Sequence, residues 1–177
     1  SFNASVDWYH YFGDFQANLL VEGFYTKLSD PFVLTPPVKD PDGSAYLIQT
    51  RINGSGAKVY GGTLEGKVAY KDKVQLQAGL TLQRSIYDSP EEWSADEKER
   101  YSDKILRTPD VYGYFTATYM PVKAFSIALN GNYTGRMYVP HLLSEVNGEA
   151  DVLVKSPDFF ELGTKIAYDF DFQGFCL

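Results

Sequence analysis

The sequence predicts an all-β chain: an antiparallel, up-and-down transmembrane β-barrel segment of about seven long strands from a larger barrel. Three observations carry this prediction. Residues 74–82, Val-Gln-Leu-Gln-Ala-Gly-Leu-Thr-Leu, alternate strictly between an apolar and a polar row, and successive side chains of a strand point to opposite faces. The polar row holds Gln75, Gln77, Gly79 and Thr81, neutral groups that suit a wet interior such as a barrel lumen. The alternation recurs along the chain, and the connections between recurrences are short and long in strict turn.

Composition agrees. Aromatic residues make up 16% of the 177, with 14 Tyr and 12 Phe against 2 Met, a bias toward strands. The length suits one domain. No run approaches the ~18 apolar residues of a membrane-spanning helix, but barrel strands alternate and leave no such run. A net charge of −7 argues against nucleic acid as a partner, because phosphates call for a basic surface. The one cysteine, Cys176, has no internal disulfide partner and does not fix the redox compartment. The start has no initiator Met and no basic leader, so Ser1 is expected to be an internal cut or a processed end.

In order along the chain, Phe2–Phe12 reads as the first strand, with Phe2, Ala4, Val6, Trp8, His10 and Phe12 on one side. Gly13-Asp14 is a tight turn, and Phe15–Leu28 is the second strand, with Leu20 and Phe24 interrupting its polar face. Residues 29–45 carry Pro31, Pro36, Pro37 and Pro41, too many for a strand or helix interior, and are expected to form a long loop. A third strand is predicted over residues 46–70, with a bulge or kink at Asn53-Gly54-Ser55-Gly56. Lys71-Asp72-Lys73 makes the next short turn, and the fourth strand runs over residues 74–87.

Residues 88–106 are dominated by charge and read as a second long loop. Within it Ser94-Ala95-Asp96-Glu97 has the form of a capping box, predicting a short surface helix through residues 97–101. The fifth strand is expected over residues 107–120, then a turn at Pro121-Val122-Lys123, then a sixth strand from Phe125 to Thr134. A third long loop covers residues 139–157 and a seventh strand residues 159–170. Residues 171–174 read as one more short turn, after which an eighth strand is due.

Long loops near residues 29–45, 88–106 and 139–157 thus all fall at one end of the strands. Up-and-down membrane barrels have this asymmetry, with short turns on the periplasmic side. Trp8, Phe12, Phe15, Tyr70, Tyr119 and Phe125 flank the short turns, where an interfacial aromatic girdle belongs. An odd count of seven does not close a bacterial single-chain barrel, and open edges are not tolerated in lipid. Residues 1–177 are therefore expected to be a partial barrel domain truncated at both ends.

Several segments together resemble the TonB-dependent outer-membrane receptors. They are Gly23-Phe24-Tyr25-Thr26 before a proline-rich loop, Tyr60-Gly61-Gly62-Thr63-Leu64-Glu65-Gly66 leading to Tyr70, and Arg107-Thr108-Pro109 entering a strand that ends at Tyr119. Gly131-Asn132-Tyr133-Thr134-Gly135, followed by Phe160-Glu161-Leu162-Gly163, completes the series. The order and spacing cover almost the whole chain and resemble the later part of such a barrel. The resemblance implies a barrel of about 22 strands around an N-terminal plug, importing a scarce nutrient such as an iron chelate, a cobalamin or a glycan. It also implies the cell outer membrane as location. The implied partners are outer-membrane lipid and lipopolysaccharide, the remainder of the barrel and its plug, TonB through the N-terminal part, and a small nutrient ligand. The plug, the energy-coupling segment and the family's final strands have no counterpart in these residues.

Ligand chemistry is expected in the long loops and upper lumen, because loops on a rigid scaffold carry function. Arg51, Arg84, Arg107 and Arg136 are cations near loop ends that could meet anionic groups of a ligand or lipopolysaccharide. Tyr46, Tyr87, Trp93 and Tyr138 could stack on it. No catalytic residue, cofactor or metal is assigned. Glu91-Glu92 and Asp96-Glu97 lack the ligand alternation of a calcium loop, and His10 and His141 are too far apart in the chain for a metal motif. Two other classes stay open from residues alone: a soluble all-β ligand-binding module, whose apolar faces would close a core, and an outer-membrane barrel enzyme, which would need catalytic groups converging in a pocket.

Overall fold

The computed structural model describes residues 1–42, 47–94, 101–143 and 149–170, all of them strand, turn or irregular chain. The first half contains β1 (Phe2–Phe12), β2 (Phe15–Leu28), β3 (Phe32–Leu34), β4 (Val38–Lys39), β5 (Leu47–Ile48), β6 (Arg51–Asn53) and β7 (Ala57–Tyr70). The second half contains β8 (Val74–Glu92), β9 (Tyr101–Lys104), β10 (Val111–Val122), β11 (Phe125–Thr134), β12 (Tyr138–His141), β13 (Val152–Lys155) and β14 (Phe159–Tyr168). Seven of these form one antiparallel up-and-down sheet in the order β1-β2-β7-β8-β10-β11-β14, with β9 added beside the far end of β8. The fold class read from the sequence is the one observed, a sheet that matches a barrel segment.

The register explains why the sheet has two unlike faces. One row across all seven strands is Trp8, Leu19, Gly66, Ala78, Phe115, Gly131 and Leu162. The adjacent row, on the opposite face, is Asp7, Leu20, Glu65, Gly79, Tyr114, Asn132 and Glu161. The apolar face stays uncovered: Leu80 is 45% exposed, Leu76 50% and Ile166 66%. Among the described residues the buried apolar side chains are few: Ala57, Trp93, Pro36 and Pro37. The accessible surface is 12710 Å² for 19.9 kDa, against about 8,700 Å² for a compact monomer of that mass. Among the described residues the apolar faces thus do not close on one another into a core.

The short turns lie together. Lys71 N donates to the Asp14 carbonyl at 3.0 Å, Met120 N to that of Lys73 at 2.7 Å, and Asp169 N to that of Ala124 at 2.8 Å, so each turn is tied to the next strand. Gly13 and Lys71 take left-handed φ values of 61° and 47° to make the reversals. Just inside this rim runs the row Phe12, Phe15, Tyr70, Val74, Tyr119, Ile127 and Ile166. Its rings touch, with Phe12–Phe15 centroids 5.4 Å apart and Phe15–Tyr70 4.6 Å. Phe125 meets Tyr168 at 6.4 Å, and His10 lies beside Trp8 at 5.3 Å.

At the other end the chain departs from the sequence-based expectations. The proline-rich stretch holds two short strands, because prolines outside a three-residue strand leave its ladder intact. β3 pairs with β6 and β4 with β5. The third wall strand accordingly begins at Ala57, and the residues before it fold back over the loop. The break expected at Asn53-Gly54-Ser55-Gly56 is present, with Gly56 at φ 108°. β8 continues through Ser89 and Pro90 to Glu92 and pairs with β9. The expected helix at residues 97–101 lies outside the described residues except for Tyr101, which opens a strand.

The fifth wall strand starts at Val111, not at residue 107, because Arg107 takes a left-handed φ of 57°. The following turn is Lys123-Ala124, with Pro121 and Val122 kept in β10 by a bulge after Tyr119. The third loop contains the β12–β13 pair, with His141 in a strand. Residues 171–174 and Cys176 lie outside the described residues.

Close backbone approach fixes the β7–β8 register. A Cβ at Gly61 would collide with the Leu82 carbonyl oxygen and lie 2.8 Å from Gln83 Cα, whereas one at Gly66 would meet nothing within 4 Å. Gly61→Ala is expected to cost about 1–3 kcal/mol, and Gly66→Ala to leave stability nearly unchanged. Unfolding midpoints of the two variants, measured side by side, check this.

Candidate functional site

The three long connections converge on one cavity of about 530 Å³, within the size range of small-molecule sites. The first connection supplies Phe32, Leu34 and Gln49; the second supplies Tyr87, Glu91, Trp93, Lys104 and Arg107; the third supplies Pro140 and Leu142. The walls are mainly apolar and aromatic, with two glutamates, Glu91 and Glu92, and two cations, Lys104 and Arg107. Such a cavity suits a partly apolar ligand with a few polar groups.

Each wall is held by identifiable bonds. Glu91 Oε1 accepts the Ser55 N–H at 2.6 Å, and Ser55 Oγ donates to the Ser89 carbonyl at 3.2 Å, so the first connection is fastened to the end of β8. Asp151 is 2% exposed and Ser94 0%. The Ser94 hydroxyl donates to Asp151 Oδ2 at 2.5 Å, and Leu143 N donates to Oδ1 at 2.7 Å. A buried carboxylate thus joins the second and third connections, and charge-assisted bonds of this kind are among the strong ones. Arg107 N donates to the Tyr138 carbonyl at 2.8 Å. Trp93 is buried with its indole Nε1 lacking a hydrogen-bond partner, a cost that natural structures seldom carry without a role. Burial, and then the Glu91 carboxylate, push the Tyr87 phenol up, so it stays protonated as a donor at neutral pH.

A second, smaller cleft of about 50 Å³ lies beside the first and shares Lys104 with it. Arg84, Arg136 and Tyr138 line this cleft. Of the sequence-predicted residues, then, Tyr87, Trp93 and Arg107 meet in the large cavity, and Arg84, Arg136 and Tyr138 in the small one. Arg51 lies in neither: it is exposed on β6, opposite Leu34. Tyr46 lies outside the described residues. Sequence reasoning missed Lys104 and Lys155, which line the small cleft, because the pairings of β9 and β13 that carry them there were hidden in charged loops. The alternation Tyr101-Ser102-Asp103-Lys104-Ile105 was the one available signal.

Below the cavities the polar face carries its own network. Tyr114 OH donates to Glu65 Oε2 at 2.5 Å, and Gln77 Nε2 donates to Glu65 Oε1 at 2.9 Å and to Tyr114 OH at 3.0 Å. Thr63 and Thr81 share a bond of 2.9 Å. Among the described residues no group of three or more His, Cys, Asp or Glu could hold a metal ion, and no helix is long and apolar enough to cross a membrane.

Among solved structures, the chain is similar to the FrpB iron transporter from Neisseria meningitidis (F3-3 variant), with a TM-score of 0.53 and 12% identity. The match covers 94% of this chain and 24% of that one, so the chain spans about a quarter of the transporter's length. At this identity the likeness shows a shared fold. No protein-family model matches the chain, and no curated protein matches it significantly in sequence.

Two expectations follow. Asp151→Ala removes the acceptor joining two loops, at about 1–3 kcal/mol for groups left without a partner. Limited proteolysis should then cut residues 88–110 and 142–152 faster, with the melting of the sheet little changed. Lys58 Nζ lies 2.6 Å from Asp88 Oδ1; this bond holds the Asp88 carboxyl below its usual range and the Lys58 amine above its own. The depressed Asp88 value means that the link is intact above the usual carboxylate range and lost on acidification through it. The raised Lys58 value means that it is lost again only when pH climbs past the usual lysine range. Carboxyl NMR of Asp88 should titrate below a free aspartate, and Lys58→Met should raise it toward the usual value, with Lys27 at 3.9 Å still pulling it down.

Proposed function

We propose that this chain is part of the wall of a TonB-dependent outer-membrane transporter that imports a scarce nutrient, with the 530 Å³ cavity at its outer, ligand-capturing end. The observation that carries this is a continuous, uncovered apolar face on seven strands, joined at one end by short turns with an aromatic row and at the other by loops that converge. An apolar face that long suits contact with lipid, since charged or polar side chains are excluded from a bilayer's middle. The rim at residues 71–73 then faces the periplasm, and Gln75, Gln77, Glu65 and Tyr114 face the lumen.

The two sheet edges give the second support. β1 and β14 each pair on one side only among the described residues. Backbone groups on open edges are not left unsatisfied in lipid, so further strands of the barrel are the proposed partners there, with a plug filling the lumen. The fold likeness to part of an iron transporter favours transport over an enzymatic role and puts an iron chelate among the candidate cargoes, beside a cobalamin and a glycan. Tyr87, Trp93 and Arg107 are the proposed contacts in the cavity, and outer-membrane lipid and lipopolysaccharide the proposed surroundings of the wall.

Environment-sensitive labels decide the orientation. Labels at Leu76, Leu80 and Phe115 are expected to report lipid or detergent, and those at Gln75 and Gln77 water. The same environment at both sets of positions would exclude a barrel wall.

A further inference from the structure

We propose that the small cleft between β8, β9, β12 and β13 is a binding site for a phosphate monoester group. Four cations, Arg84, Lys104, Arg136 and Lys155, line a space of about 50 Å³, in a chain whose net charge is −7. Among the described residues the one carboxylate in its lining is Asp110; Asp158 reaches Arg136 from outside, at 3.7 Å. Arg84, Lys104 and Lys155 have no ion-pair partner among the described residues. Both lysine ammonium groups sit 5.3 Å from the ring centroid of Tyr138, so the aromatic ring gathers like charges that would otherwise separate.

A compact oxyanion would accept from the guanidinium and ammonium groups together. The space has room for about three waters or one such group. A carboxylate brings one negative charge, whereas a phosphate monoester brings about −1.5 to −2 at pH 7 and comes closer to balancing four cations and Asp110.

Position adds the source of the ligand as a question with two answers. Arg84 falls on the same face as Leu80 and Leu82, one step beyond them, in the row Phe2, Tyr25, Tyr60 and Arg84. The next row outward is Lys27, Lys58, Ile86 and Lys104. The cleft thus stands where the apolar face gives way to cations, within reach of a lipid headgroup phosphate as well as of a phosphorylated solute. The site does not depend on what the large cavity binds or on whether transport occurs.

The full chain in phosphate-free detergent, titrated with inorganic phosphate and reconstituted separately with phosphatidic acid or phosphatidylglycerol, tests this. Binding of inorganic phosphate, or retention of phosphatidic acid over phosphatidylglycerol, is expected; the first alone marks a soluble source and the second alone a headgroup. In either case Arg84→Gln with Lys155→Gln should weaken binding by about tenfold or more, while Lys165→Gln, at the turn end, should not. 3-Fluorotyrosine at position 138 of the otherwise unchanged chain should shift on addition of whichever of the two probes binds, so the test survives a variant that folds poorly. The proposal is overturned by no binding of either probe, by equal retention of the two lipids without phosphate binding, or by an unmoved fluorine signal.

Discussion

The main-chain ladder is the constraint on which everything else in this molecule depends. With almost no apolar core among the described residues, the strands are held by their neighbours to left and right. The side-chain period of a strand is two, so a slip of one residue anywhere would carry Glu65 and Gln77 to the apolar face and Leu64 and Leu76 to the polar one. The register is therefore pinned several times over. Gly61 admits the β8 backbone, the Thr63–Thr81 and Glu65–Gln77–Tyr114 bonds lock the polar side, and the stitched turns fix one end. Gly131 does the same on the apolar side, leaving room for Phe115 and Phe160 to stack across it at 6.1 Å.

That ladder also decides where binding chemistry can sit. Strands of 14 residues in β2 and β7 and 19 in β8 exceed the ~9–11 needed to cross a bilayer. The surplus is all at the end away from the short turns. There β8 projects far enough to support β9 and to fasten the first connection through Glu91 and Ser55. A rigid wall thus carries its loops on an extended strand, and three segments distant in sequence meet around Trp93.

The wall was legible in the sequence because period-two alternation is a local signal and each strand carried its own copy. The short turns were legible for the same reason, from Gly13-Asp14 and Lys71-Asp72-Lys73. The loop strands were not. β3 and β6 are separated by 16 residues that include three prolines, and β12 and β13 pair across a gap with no alternation. What joins them is long-range: Asp151 buried against Ser94, a contact between loops 57 residues apart that no window of sequence displays. The candidate cations were legible as residue types near strand ends, but their division into two clefts needed the β9 and β13 pairings.

The two ends differ in what holds them. At the turn end, aromatic rings and main-chain bonds between adjacent turns leave little freedom. At the loop end the sheet stops supplying partners, and cohesion passes to a few side chains: Asp151 between two loops, Glu91 on Ser55, and Asp88 with Lys58 and with Lys27 at 3.9 Å. Each of these is a contact that a change of sequence or ligand can remove without touching the ladder, because stability is not uniform across a structure. A sheet that must stay in one register and loops that can vary in sequence place opposite demands on a chain. The fold meets both by giving the register to the backbone and the cohesion of the loops to side chains.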